Sequence, residues 1–306
     1  MKRMKMMGLG VIAVFAMAAM FVASAAAKPA NTPTSGRCLA HTGGKFSDAN
    51  CKTFATEVAK DKFEFYPTSG TADNGESKPA VKKHYTAEAI GTTEKPIVLT
   101  GTGEKLGAET KVECKLQTSD GFNVSDTEGT AEHIKYTGCE SSKVSCQTAG
   151  SAAGEILVND LTVTYVIEKF GYNTTTKKDE PAKDKVAEKL VPKVGEEYVF
   201  FECGVKPTSL KVHVKSLENE GIMVNAKANA MVLTTELKFS GLKGNQKPEK
   251  YAVSIEESTG KQTLSKEVSL LSAFQKEGLA EEYEESGQTQ VNKVKFEEKF
   301  EVNTVA

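Results

Sequence analysis

From Ile97 onward, apolar and polar residues alternate with a period of two, the spacing that sends successive side chains to opposite faces of a strand. Leu161, Val163, Tyr165 and Ile167 share one face, with Thr162 and Thr164 on the other. Leu210-Lys211-Val212-His213-Val214-Lys215 alternates without a break. Met231, Leu233, Leu237 and Phe239 share a face with Thr235, opposite Thr234, Glu236 and Lys238. Val294, Phe296, Phe300 and Val302 oppose Lys293, Lys295, Glu297, Lys299 and Glu301. Glu298 interrupts that apolar face, which predicts a bulge or an exposed edge.

Turn residues punctuate these runs at Asp73-Asn74-Gly75, Asp120-Gly121, Asn219-Glu220-Gly221 and Gly241 to Gly244. Helical spacing is scarce; its best candidate, Lys266 to Lys276, is short. Asn173 to Lys189, rich in Lys, Asp and Thr around Pro181, reads as a mobile loop. The pattern predicts an all-β protein, an antiparallel sandwich or partly closed barrel, with an N-terminal disulfide-closed hairpin. The division expected is a signal peptide at 1–27, a cystine hairpin and linker at 28–96, and an antiparallel β domain at 97–306. Lys62-Phe63-Glu64-Phe65-Tyr66-Pro67 is the strand expected in the hairpin.

The first of these segments has its own logic. Basic Met1-Lys2-Arg3-Met4-Lys5 precedes an apolar run from Met6 to Ala23, which ends in Ser24-Ala25-Ala26-Ala27. That is the signal-peptide pattern, with cleavage expected after Ala25 or Ala27. No basic stop-transfer cluster follows, so no stable membrane insertion is expected after cleavage. The first cysteine, Cys38, lies well past the apolar run, away from where a lipid-anchored cysteine would sit. The destination expected is secreted or cell-surface.

Composition narrows the function classes. Losing Lys2, Arg3 and Lys5 with the signal leaves 36 basic against 41 acidic groups, a net −5. Arg37 is then the one remaining arginine, and arginine's planar fork is what grips phosphates and guanine edges. No nucleic-acid partner is expected. Trp is absent, which weakens a carbohydrate platform, although Tyr and Phe can substitute.

The six cysteines are Cys38, Cys51, Cys114, Cys139, Cys146 and Cys203. In an exported chain an even count reads first as disulfides, with fifteen pairings open for six. Local geometry favours Cys38–Cys51 around Gly43-Gly44 and Cys139–Cys146 around a short polar loop. Cys114–Cys203 is left as a long-range bridge, each of its cysteines on the apolar face of a strand. Close C-x2-C spacing for zinc or redox chemistry is missing.

No catalytic, cofactor-binding or metal-ligating set emerges. His213 and His133 sit on Lys-bearing polar faces and read as solvated, while His41 and His84 read as loop residues. S-x-x-K occurs at Ser240/Lys243 and Ser258/Lys261, but neither opens a helix as that chemistry requires. Carboxylate pairs such as Glu281-Glu282 and Glu284-Glu285 are too many to single out a hydrolytic pair and read as an acidic rim. Asn123-Val124-Ser125 and Asn173-Thr174-Thr175 are formal glycosylation sequons.

Several stretches resemble a group of uncharacterised exported, cysteine-containing β-rich proteins of high-GC Gram-positive soil bacteria. They are Val112-Glu113-Cys114-Lys115, Tyr136 to Ser142 with Cys146, Ala152 to Ile156, Phe201 to Gly204, Lys243 to Tyr251 and Tyr283 to Gly287. The Cys38 to Pro67 segment resembles a hairpin recurring at the start of such proteins. The resemblance implies an exported, cystine-containing protein and transfers no activity. The function expected is a non-enzymatic extracellular or cell-surface binding or structural β domain, with a cell-envelope or extracellular protein or polysaccharide partner. Its binding surface would be a strand edge such as the Glu298 segment. The alternative is a secreted hydrolase of polysaccharide or peptide. A third option, a small-ligand carrier, requires an apolar barrel interior open to solvent.

Overall fold

The alternating segments become strands, and in the computed structural model the strands close into a ring. Residues 28–56, 62–72, 75, 77–78, 84–101, 109–205, 209–242, 244–276 and 280–305 are described. The expected signal at 1–27 lies outside the described residues, as do Asp73, Asn74 and Lys243.

Eight antiparallel strands form a closed barrel. In order around it run His84–Ile90, Leu116–Asn123, Glu128–Thr137, Leu161–Lys169, Lys185–Pro192, Ile222–Ala226, Val232–Leu242 and Glu284–Asn303. The last pairs back onto the first through Lys293–Phe296. Closure removes the free edges that an open sheet would present.

A second run comprises Ile97–Gly101, Thr110–Cys114, Glu140–Ser141, Val144–Gln147, Glu197–Cys203, Leu210–Ser216 and Leu270–Lys276. It starts and ends on the N-terminal part of Glu284–Asn303, so this strand of 20 residues belongs to both circuits. Inward-facing residues of both circuits meet in one core, among them Val163, Leu190, Val212, Val214, Val224 and Val294. Each such side chain contributes about 1.5–3 kcal/mol on burial.

Two smaller units flank the barrel. Thr34–Ala40 pairs with Phe63–Pro67 on one side and with Glu301, Val302 and Asn303 on the other, and Cys38–Cys51 closes this lobe over Phe46 and Phe65. Lys28–Pro29, Ala252–Glu256 and Lys261–Leu264 form a three-stranded sheet that buries Ile255 against Tyr165, Ile167 and Phe300.

The all-β class and the cystine-closed hairpin stand as expected. Other expectations change. The division at Ile97 does not hold, because His84–Ile90, on its N-terminal side, is a barrel strand. Beside Tyr85 its inward residues are the small Ala87 and Ala89, which leave a faint apolar signal. The expected loop from Asn173 ends in a barrel strand, since Lys185–Pro192 pairs on both sides. The helix candidate is the strand Leu270–Lys276, with Leu270, Ser272 and Ala273 buried. Asp120-Gly121 lies inside a strand, and a Cβ on Gly121 would come within 2.1 Å of the Thr130 carbonyl oxygen.

The expected bulge at Glu298 is present. Val232 and Thr234 lie opposite Phe300 and Lys295, so the long strand spends extra residues there. Arg37 Nη1 donates to Glu298 Oε2 at 3.0 Å, and just before the bulge the long strand is flanked by neighbours on both sides at Lys293, Val294 and Lys295. The same irregularity turns Leu233 out to solvent.

Two of the three expected disulfides are exchanged. The bridges are Cys38–Cys51, Cys114–Cys139 and Cys146–Cys203. Ser142 and Lys143 both take positive φ (50° and 68°), which folds Glu140–Ser141 and Val144–Gln147 into a tight hairpin. That hairpin lies between two neighbouring strands. Cys146 falls opposite Cys203 in register, while Glu140 pairs with Glu113 and Cys139 reaches Cys114. Each cysteine therefore bonds outward to a neighbouring strand, whereas spacing along the chain favoured the local loop. On the loop-entropy model the three bridges contribute at most about 3, 3.5 and 4 kcal/mol in chain order.

Candidate functional site

The barrel wall encloses a cavity of about 150 Å³, a volume of the order that accepts a benzene ring in a dry protein interior. Its lining is mainly apolar and aromatic, with Tyr85, Tyr136, Tyr165, Tyr198, Phe239 and Phe296 among the larger side chains. The period-two pattern puts them there. Tyr165 lies opposite Glu188, and Leu190 opposite Val163, so alternate residues of these strands share the interior.

Most of the polar groups in the wall answer one another. Tyr85 Oη donates to the Thr130 carbonyl at 2.6 Å, Tyr198 Oη to the Leu190 carbonyl at 2.7 Å, and Tyr165 Oη to Asn123 Oδ1 at 3.2 Å. Along the long strand, Gln288 Nε2 donates to Gln290 Oε1 and Gln290 Nε2 to Asn292 Oδ1, at 3.0 and 2.8 Å. Burial raises the phenol of Tyr136 to about 12, and those of Tyr85, Tyr165 and Tyr198 also rise, so all four stay neutral.

Glu188 is the main exception. It faces the cavity from the Lys185–Pro192 strand, and its carboxyl has no hydrogen-bond or ion-pair partner among the described residues. Desolvation alone pushes it up to about 7. Its surface is only partly covered, and it lies on the cavity wall. Gln117 also lines the cavity, and its Oε1 is buried without a partner among the described residues.

The residues singled out in the sequence lie elsewhere. The six cysteines form structural bridges; Cys114 alone of them borders the cavity. His213 is half-buried and not solvated: it stacks on Phe200 at 4.3 Å, with Nδ1 2.7 Å from Glu197 and 4.0 Å from Glu281. Glu281 of the expected acidic rim thus serves this imidazole, and Lys215 Nζ sits 3.7 Å over the Tyr283 ring beside it.

On the outer wall Asp120 lies between His133, at 2.8 Å, and His84, at 3.3 Å. Partial burial would raise the Asp120 carboxyl; hydrogen bonds from the two imidazoles outweigh it and hold the acid below its usual range. His133 is exposed as expected, whereas His84 opens a strand rather than a loop. Neither sequon offers a free carboxamide. Asn123 is buried against Tyr165, and Asn173 Nδ2 donates to Glu180 Oε1 at 2.7 Å.

Sequence reasoning missed Glu188. Its signal was present, because Val186, Glu188 and Leu190 alternate with Ala187, Lys189 and Val191. The surrounding Lys and Asp residues masked it. Among the described residues no helix is long and apolar enough to cross a membrane. No family model, curated protein or solved structure matches this chain.

Proposed function

We propose that this chain is a non-enzymatic, exported binding protein whose barrel interior holds a small ligand with an apolar body. One observation carries the reading: a cavity of about 150 Å³ walled by aromatic and aliphatic side chains contains an acid that no described residue pairs. Interiors pack close to crystal density, and buried polar groups are nearly always satisfied. An apolar space that violates both rules at once is the form a ligand pocket takes. The basic-then-apolar N-terminus and three disulfides support a secreted or cell-surface destination, since such bridges persist in oxidising compartments.

The test is a titration of the exported protein with toluene, followed by NMR. Saturable shifts of methyl groups of cavity residues such as Val163 and Leu190 are expected. Ala131→Phe, which projects a ring into the cavity, removes them while circular dichroism stays unchanged, and Val163→Phe does the same from the neighbouring strand. Toluene shifts that persist in both filled variants, or that never saturate, would overturn the reading.

A further inference from the structure

The cavity's one carboxyl says more than that something binds. Resting on the binding function proposed above, we propose that Glu188 is the anchor for a protonated amine, so that the ligand is a small amphipathic amine with an apolar or aromatic body. Three features of the lining select that chemistry.

The first is the absence of a resident cation. Among the described lining residues there is no Lys, Arg or His, so no side chain of the wall can neutralise Glu188. The second is that the donors whose bonds are seen are directed away from the acid. The hydroxyls of Tyr85, Tyr165 and Tyr198 point at Thr130, Asn123 and Leu190, and the amides of Gln288 and Gln290 donate along their own strand. Among the described residues none donates to Glu188, so a ligand that brings its own donor satisfies an acid the wall leaves unmet. The third is the aromatic surround, because ring faces attract a desolvated cation.

Other ligand classes fit worse. An anion would meet Glu188 with no countercharge, and a fully apolar molecule would leave the acid unpaired. A protonated amine forms a charge-assisted hydrogen bond where the desolvation of the acid has already been met by folding. Its body then fills the space between Val163, Leu190 and Phe296.

The pH dependence follows from the same geometry. The titratable groups facing Glu188 from the neighbouring strands are Tyr85, Tyr136, Tyr165 and Tyr198, all raised and all neutral through the useful range. Only Glu188 changes charge there. Ammonium binding needs the carboxylate, so affinity rises as pH passes about 7 and falls below it.

The experiment titrates the exported protein with benzylamine and with toluene, its uncharged counterpart, by calorimetry at pH 8 and pH 5. At pH 8 benzylamine binds at least tenfold tighter than toluene, and the margin shrinks at pH 5. Glu188→Gln abolishes the margin and leaves toluene binding intact, which also certifies the fold of the variant. Glu188→Leu provides the same comparison should the glutamine variant bind neither compound. Equal affinity for the two compounds at pH 8, or an undiminished benzylamine margin in Glu188→Gln, overturns the anchor and leaves the cavity reading standing. Binding of neither compound by the unaltered protein overturns both.

Discussion

Glu188 and Glu301 are the same acid in two different surroundings. Each sits next to a Lys-bearing stretch of an alternating strand, and burial raises each carboxyl, Glu188 to about 7 and Glu301 to about 8. Glu188 faces the cavity inside the barrel. Glu301, by contrast, is sealed beneath the N-terminal lobe. It lies opposite Gly36 and against the Cys38–Cys51 bridge, its Oε1 accepts from Asn303 Nδ2 at 3.2 Å, and its Oε2 has no partner among the described residues. A raised carboxyl alone therefore says little about function. Room beside it separates an acid positioned to receive a ligand from one that packing has trapped.

The largest test of this contrast concerns that room. A Cβ on Gly36 would lie 2.3 Å from the Tyr66 carbonyl oxygen and 2.8 Å from the Phe65 ring. Gly36→Ala is expected to cost about 3 kcal/mol in urea unfolding, the upper range for overpacking. Ala131→Val, which adds the same kind of bulk at the cavity wall, changes stability by less than about 0.5 kcal/mol. Equal costs at the two sites would erase the distinction.

Next comes the pH dependence of stability, where the sign is the same for both acids. A carboxyl raised in the folded state stays protonated after the unfolded chain has ionised. Its stabilising contribution is complete below the ordinary value near 4.5 and is lost as pH climbs to the folded value. The loss runs to about pH 8 for Glu301 and ends near 7 for Glu188. Glu301→Gln is expected to flatten the upper part of that slope and raise stability at pH 8 by about 2 kcal/mol. Glu188→Gln acts in the same direction over a narrower window. Urea midpoints measured from pH 4 to 9 that show no flattening in Glu301→Gln would refute the burial of that carboxylate.

The smallest expected effect lies on the outer wall. His133 is raised, chiefly by its hydrogen bond to Asp120, so its contribution is present below its ordinary value and lost above the folded one. Because His133 is fully exposed, solvent screens the pair, and His133→Ala should leave the urea midpoint unchanged at pH 6. A measurable drop would assign the Asp120 ledge a structural role that the two buried acids do not share.

Legibility in the sequence followed the range of the interaction. Leu161 to Ile167 and Leu210 to Lys215 were readable as strands because strand alternation is a property of adjacent residues. The Lys62–Pro67 strand and Cys38–Cys51 were readable because the hairpin closes locally. His84–Ile90 was faint because two of its three inner residues, Ala87 and Ala89, are alanines. Lys185–Pro192 was hidden because its inward glutamate stands among lysines, and a charged residue facing a cavity is indistinguishable in sequence from one facing water. Glu301 was misread because a charged residue covered by a separate lobe also looks, in sequence, like one facing water.

By itself, then, the sequence determined the all-β class, the faces of the strong strands, a break in the apolar face at Glu298 and the cystine-closed lobe. Only the tertiary structure decided that the barrel closes through His84–Ile90, that Cys146 meets Cys203 while Cys139 meets Cys114, and that Glu188 borders a cavity while Glu301 does not. The period of a strand dictates which of its own side chains share a face. Which strand comes to lie beside it is a non-local choice, made by the packing of the whole ring.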